Sequence, residues 1–324
     1  MSIITLKELA PIAVGEEAAL YDLGDGIACL EFRSKSNSIS GPVVNFIEET
    51  LDVHMQNFSG LVFGNQAKHY SVGANLLSFR KVIEQNESQQ FHGKMSKFQN
   101  MAYRVKSYPK PIIAAPYGNV LGAGLELTLH CHKRVAHSDV RMGLVEVGVG
   151  LLPSGGGVKE TALHIYSQPA QEQGHALIEG FEKLILKRKS ANAQEALAMG
   201  YLNSDDTISD DLPGLIGRAK QICQTQTTSS HYEEKVVTLQ GESGFQSLLR
   251  HCSALLKAGA ISPYDSVIGI AIAEILTGGN CAPHAKTEHE LMDGEREHFV
   301  TLTKDPRTYE RISFLLEQGK LLDN

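Results

Sequence analysis

PIIAAPYGNVLGAGLELTLHCHKRVAHSDVRMGLVEVGVGLLPSGGG, residues 111–157, decides how this chain is read. An apolar run suited to a buried strand turns at Gly122-Ala123-Gly124 and starts a helix. Glu126 is a lone acid in that otherwise apolar stretch, and Glu146 is a second one among valines and glycines. Burial raises a carboxyl pKa, so two acids in such surroundings suggest proton transfer. The first amides of a helix have no intrahelical acceptor and carry the positive end of its dipole. A glycine-rich helix start can therefore hold a developing oxyanion.

Outward from this stretch, residues 19–32 read as a hairpin about Gly24-Asp25-Gly26. Residues 43–57 have helical spacing at Val44, Ile47, Leu51 and Met55. GLVFGN, residues 60–65, is a short buried strand whose exit loop leads into a polar-amphipathic helix over roughly 80–107. RVAH and VRMGL are further strand pieces between Arg134 and Leu152. Beyond about residue 160 the strand signal fades into helices with glycine stops, interrupted by a polar linker near 225–235. Strands alternating with helices predict an α/β core over residues 1–190, and residues 191–324 read as a helical C-terminal region.

Composition narrows the function classes. The 324 residues carry a formal net charge of −7, which argues against non-specific attraction to nucleic acid or an anionic membrane. Cys29, Cys131, Cys223, Cys252 and Cys281 are odd in number and scattered, the pattern of reduced thiols used as small apolar fillers. Lys7 and Glu8 interrupt any signal peptide, and Asp265 interrupts the best apolar run, so the expectation is a cytoplasmic protein without a membrane span.

Two loops follow buried strands: Ser71-Val72-Gly73-Ala74-Asn75 and Gly122-Ala123-Gly124. Ligands of α/β proteins collect at such strand ends. If the amides of Ala74 and Ala123 converge, they can polarise a carbonyl; the alternative is a glycine kept only for packing. For Glu126 the alternative is an acid favoured by the helix dipole, worth up to about 1 kcal/mol. For Glu146 it is a structural ion pair with Arg134 or Arg141, since burying an unpaired carboxylate costs about several kcal/mol.

Other features weigh less. His130-Cys131-His132 has the wrong spacing for helical metal chelation, which needs i and i+4. Ser71 and Ser154 lack a nucleophile motif, Lys187-Arg188-Lys189 reads as a solvated face, and His69 is a loop histidine that could line an entrance. Gly155-Gly156-Gly157 lacks the Lys-Ser/Thr of a phosphate loop.

Three separated motifs, FGNQAKHYSVGANL, KPIIAAPYGNVLGAGLEL and MGLVEVGVGLLPSGGG, together resemble the crotonase superfamily of enoyl-CoA hydratases and isomerases over roughly residues 18–165. The remainder, down to ERISFLLEQGKLLDN, is similar to the C-terminal hydratase region of bacterial bifunctional fatty-acid oxidation proteins that also carry a 3-hydroxyacyl-CoA dehydrogenase. No GxGxxG follows a strand here, so the expectation is the hydratase region without the dehydrogenase portion.

The resemblance implies an α/β crotonase-like spiral of ββα units with a helical C-terminal region. It implies an oxyanion hole at Ala74 and Ala123, with Glu126 activating water toward C3 and Glu146 exchanging a proton with C2. Lys35, Asn37, Asn75, Leu76 and Gly122 would contact the coenzyme A part of the substrate, and the Gly155-Gly156-Gly157 stretch would lie beside the acyl pocket. No metal and no separate cofactor are implied, since coenzyme A enters with the acyl-CoA thioester. Implied partners are other copies of the chain, as a trimer or hexamer, and a dehydrogenase or thiolase. The chain departs from the family pattern at Ala123, usually glycine, at Asn75, usually aspartate, and at Val145, usually proline. Isomerase, acyl-CoA hydrolase and non-catalytic acyl-CoA-docking readings stay open. Two retained acids favour hydration, because isomerases commonly keep one.

Overall fold

The turn Gly24-Asp25-Gly26 is a run of left-handed backbone, with φ of +79°, +56° and +75°. Glycine and aspartate tolerate that conformation, and Asp22 Oδ1 steadies it by accepting the Gly24 N–H at 2.7 Å. The turn joins β2 (Ala18–Asp22) to β3 (Ile27–Phe32) in the antiparallel hairpin expected from the sequence, and β1 (Pro11–Val14) adds to its outer edge. The structure, a computed structural model, describes residues 3–85, 87, 89–228 and 232–324. The middle of the linker expected near 225–235 lies outside the described residues.

From β3 the sheet continues in parallel through β4 (Gly60–Phe63), β5 (Ile112–Ala114), β7 (Lys133–His137) and β9 (Thr207–Ser209), giving the order β1-β2-β3-β4-β5-β7-β9. Every residue of β4 is buried, as befits a parallel strand covered on both faces. A separate parallel pair, β6 (Asn119–Leu121) and β8 (Arg141–Gly143), carries the glycine turn.

The helices run α1 (Gly41–Asp52), α2 (Leu76–Glu84), α3 (Gln89–Lys106), α4 (Ala123–Leu129), α5 (Gly157–Ser167), α6 (Gln173–Ile185), α7 (Ala193–Ala198), α8 (Leu215–Thr225), α9 (Glu242–Lys257), α10 (Pro263–Thr277), α11 (Glu288–Leu302) and α12 (Pro306–Gln318). The single helix expected over 80–107 is thus two, α2 and α3; residues 86 and 88, between them, lie outside the described residues. Two strands beyond β9 also escaped the sequence reading: β10 (Val236–Leu239) and β11 (His284–Thr287) form an antiparallel pair.

The chain folds as two compact units. The first gathers the described residues of Met1–Asn75, Asn100–Gly143 and Lys189–Glu233; the second gathers Leu76–Gln99, Leu144–Arg188 and Glu234–Asn324. Consecutive blocks meeting at 190 were expected, and the difference has a physical cause. Residues 189–233 belong with the sheet because β9 pairs with β7 and α8 packs on it. Gly60 of β4 leaves no room for a Cβ beneath the Cys223 thiol of α8, which donates to the carbonyls of Leu61 and Pro111. Beside β9, the buried Asp206 carboxylate accepts the Arg134 N–H at 2.8 Å and its Nε at 2.6 Å.

The second unit is mainly helical. Ser262 and Asp265 close a capping box on α10, and Gly278, at φ +84°, ends that helix. Phe79, Phe91 and Phe299 meet edge to face, with ring centroids 5.4–5.9 Å apart, and tie α2, α3 and α11 together.

Candidate active site

In the first unit, two glycines bend the backbone so that two amides lie at neighbouring turns. Gly73 has φ +101°, and a Cβ there would stand 3.1 Å from the Leu121 carbonyl oxygen and 3.7 Å from Gly122 Cα. Gly122 has φ +51° and ψ −131°, a conformation reserved for glycine, and its N–H donates to the Gly143 carbonyl at 3.0 Å. Ser71 N–H donates to Asn119 O at 3.1 Å and Leu121 N–H donates to Ser71 O at 3.0 Å, lacing the two loops together. Ala74 and Ala123 each follow one of these glycines. Among the described residues neither of their amides meets an acceptor.

Gly124 is required by space rather than by dihedral angle: a Cβ there would lie 2.5 Å from Ser71 Cβ. Ala123 between the two glycines has a helical conformation, so a methyl group fits there. Glu126 lies one turn into α4 and is 2% exposed, a carboxyl well inside the unit. Its backbone carbonyl lies 2.7 Å from His130 Nδ1, and the His132 Nδ1 accepts the Ile112 N–H at 3.0 Å. Cys131 is buried and its thiol is pushed up to about 12 by burial. The His-Cys-His triplet is thus committed to local backbone contacts.

Asn75 follows Ala74, and Leu76 is the first residue of α2. Lys35 and Asn37 occupy a single 3-10 turn in which Ser36 and Asn37 have φ of +55° and +53°. Asn37 Nδ2 donates to the His69 carbonyl at 3.1 Å, fixing this turn against the loop that leads to Ala74. Beside it the first unit has a groove of about 910 Å³, lined by Lys7, Arg33, Ser36, Asn37, Lys68 and His69 among others. Sequence reading singled out Asn37 and His69 but missed Arg33 and Lys68. Arg33 Nε donates to Glu31 Oε2 at 3.0 Å, and its guanidinium also meets the Tyr21 hydroxyl. Desolvation, with the nearby Lys68 charge adding to it, holds the His69 imidazole below its usual pKa.

Glu146 belongs to the second unit, where it opens a 3-10 turn, Glu146–Val149, and is half-buried. Arg134, one alternative partner considered for it, is already engaged with Asp206. Lys187, expected on a solvated face, instead lies 3.2 Å from the buried Asp265 carboxylate.

The Gly155-Gly156-Gly157 turn opens α5, and its donors are not left waiting for a ligand. Glu295 of α11, fully buried, accepts the Gly156 N–H at 2.8 Å and the Lys159 N–H at 2.7 Å. Nothing near residue 155 in the sequence announces a carboxylate from α11.

Residues 26–161 match the model of a family described as enoyl-CoA hydratase/isomerase. A Bacillus subtilis protein named "Probable 3-hydroxyacyl-CoA dehydrogenase" is 34% identical over 316 residues, which is 97% of this chain and 40% of that protein. A second Bacillus subtilis protein, named "Probable enoyl-CoA hydratase", is 28% identical over 52% of this chain and 60% of its own length. The chain therefore spans less than two thirds of these curated relatives. Among solved structures, an enoyl-CoA hydratase from Rhodobacter sphaeroides superposes with a TM-score of 0.69 at 16% identity, covering 95% of this chain and 92% of that one. At that identity the likeness speaks for the fold: an α/β crotonase fold with C-terminal helices.

Proposed function

Because the chain belongs to the crotonase superfamily, we propose that it is an enoyl-CoA hydratase, adding water syn across trans-2-enoyl-CoA to give 3-hydroxyacyl-CoA in fatty-acid β-oxidation. The observation that carries this reading is the Gly122-Ala123-Gly124 turn, which leaves the Ala123 amide without an acceptor among the described residues and sets Glu126, buried, one turn further on. The amides of Ala74 and Ala123 hold the thioester oxygen as it gains charge, where fixed donors stabilise the enolate without reorganising. Glu126 orients the water and draws its proton as oxygen attacks C3. Glu146 exchanges a proton with C2, so one water supplies both the new hydroxyl and, through the carboxyl groups, the new C–H.

The reaction uses no redox cofactor, and coenzyme A arrives as part of the substrate. The groove beside Asn37 suits its nucleotide end: Arg33, Lys68 and Lys7 bring positive charge to an otherwise acidic protein. Lys35, Asn75, Leu76 and Gly122 are the further contacts this reading assigns to coenzyme A. A homo-oligomer of three or six subunits, dehydrogenase or thiolase partners and a reducing, cytoplasmic setting complete the proposal. Among the described residues no helix is long and apolar enough to cross a membrane.

Crotonyl-CoA tests it directly, because hydration removes the absorbance of the conjugated enoyl-thioester. Product analysis separates the alternatives, since an isomerase keeps a double bond and a hydrolase frees a thiol. Glu146→Gln keeps the shape and cannot shuttle a proton, so kcat should fall by about 10²–10⁴-fold. Near-normal turnover would remove Glu146 from the mechanism.

A further inference from the structure

Glu146 sits on a short support, a single 3-10 turn. A single 3-10 turn has poorer hydrogen-bond geometry than an α-helix, and this one is held by Gly148 N–H to Val145 O and Gly150 N–H to Val147 O, both at 3.0 Å, and by Leu151 N–H to Glu146 O at 3.1 Å. It ends at Gly150 in a left-handed conformation, φ +81°. A carboxyl that exchanges a proton with one chosen carbon must be placed to within about 0.5 Å.

A side-chain restraint on the turn comes from α12, within the same unit. Arg311 is fully buried, and its Nη1 donates to the Val147 carbonyl at 2.7 Å and to Asp265 Oδ1 at 2.6 Å. Its Nη2 donates to Ser262 Oγ at 2.8 Å and its Nε to Asn324 Oδ1 at 2.8 Å. One helical turn earlier, Thr308 Oγ1 donates to the Gly150 carbonyl at 2.7 Å. The Thr308 hydroxyl has one proton, so the Tyr264 hydroxyl 2.7 Å away is the donor in their pair. One face of α12 thus reaches a carbonyl just after Glu146 and a carbonyl at the end of its turn.

We propose that Arg311 and Thr308 are positioning residues for Glu146: α12 clamps the 3-10 turn by its Val147 and Gly150 carbonyls and so fixes where the carboxyl points. The proposal rests on the reading of Glu146 as the acid that exchanges a proton with C2. A buried Arg–Asp pair is no guarantee of stability, and an apolar replacement is often as stable. What arginine adds here is a fork that serves Asp265 and a backbone carbonyl from one nitrogen and Ser262 from the other. The compact ammonium of lysine cannot reach all of these at once.

The test uses the full chain, crotonyl-CoA and three substitutions. Arg311→Lys should lower kcat about 10–100-fold with KM within about twofold, and Thr308→Val, nearly isosteric, about 3–10-fold. In a Glu146→Gln background neither should lower kcat further, because the group they position has lost its function. Hydrogen exchange at the amides of 147–151 should speed up in both variants. Equal losses with and without the Glu146 carboxyl would make the clamp merely structural and overturn the proposal, as would unchanged exchange in the turn. Thr308→Val carries the test alone if Arg311→Lys does not fold. Full turnover by Glu146→Gln alone would instead sink the hydratase role given to Glu146, an outcome distinct from failure of the clamp.

Discussion

Two helices of this molecule begin on glycine-rich turns, and the turns have opposite fates. Gly122 leads into α4 at φ +51° and Gly156 leads into α5 at φ +103°, and neither supplies a capping side chain. At α4 the Ala123 amide meets no acceptor among the described residues. At α5 the Glu295 carboxylate, buried in the same unit, has taken the Gly156 and Lys159 amides. A glycine run makes an array of donors, and whether that array is available depends on what packs against it. Among the described residues the first turn keeps the Ala123 amide without an acceptor, while the second gives the Gly156 and Lys159 amides to Glu295.

The most damaging way to break this comparison is Gly124→Ala. The new Cβ would sit 2.5 Å from Ser71 Cβ, and Ser71 cannot swing aside because its backbone is bridged to Val120. The loop leading to Ala74 must move, and a displacement of about 1 Å at a reacting centre costs about 10²-fold in rate. We expect kcat/KM to fall by about that factor, with overpacking costing about 3 kcal/mol of stability. Adding Ser71→Gly should restore much of both by returning the space. Unchanged turnover in the single variant would mean that the two loops do not form one site.

Glu295→Ala tests the other side. Removing a buried carboxylate that accepts two backbone amides should destabilise the protein by about 2–3 kcal/mol, read as a lower melting temperature. It should also turn the α5 start into an open anion site, which its sequence, lacking the Lys-Ser/Thr of a phosphate loop, did not suggest. Sulfate should then raise the melting temperature of the variant more than that of the parent chain. If sulfate acts on both alike, the carboxylate was not what closed the turn.

These two turns also mark what could be read in the sequence. Gly122 and the Gly24-Asp25-Gly26 hairpin were legible because a positive φ is a local property, whereas Gly124 owes its lack of a side chain to Ser71, far back along the chain. β9 was not legible either: Thr207–Ser209 is three half-buried residues with no apolar run, and only its pairing with β7 makes it a strand. The first unit's claim on residues 189–233 was hidden for the same reason. Glu126 and Glu146 stood out as lone acids in apolar stretches, yet Arg311 and Glu295 look like ordinary charges on amphipathic helices. Their partners at Val147 and Gly156 lie far back along the chain. Local chemistry was readable, whereas the supports of Glu146 and the filling of the second turn were not.

The gentlest probe refines the comparison rather than breaking it. Ala123 is helical and 9% exposed, so Ala123→Gly keeps the amide and removes only a methyl group. The helix-propensity cost is at most about 1 kcal/mol, and less at a first-turn position, which predicts a melting temperature lower by about 2 °C. If the two turns differ only in being open or filled, turnover of crotonyl-CoA should stay within about twofold, since the donor is unchanged. The methyl group should show instead in selectivity: a pocket narrowed at this point discriminates by about 1–3 kcal/mol per methylene. Longer acyl chains should therefore gain in kcat/KM relative to crotonyl-CoA once the alanine is replaced. An unaltered chain-length profile would mean that the methyl group faces away from the acyl path, and that the open turn admits its substrate on backbone geometry alone.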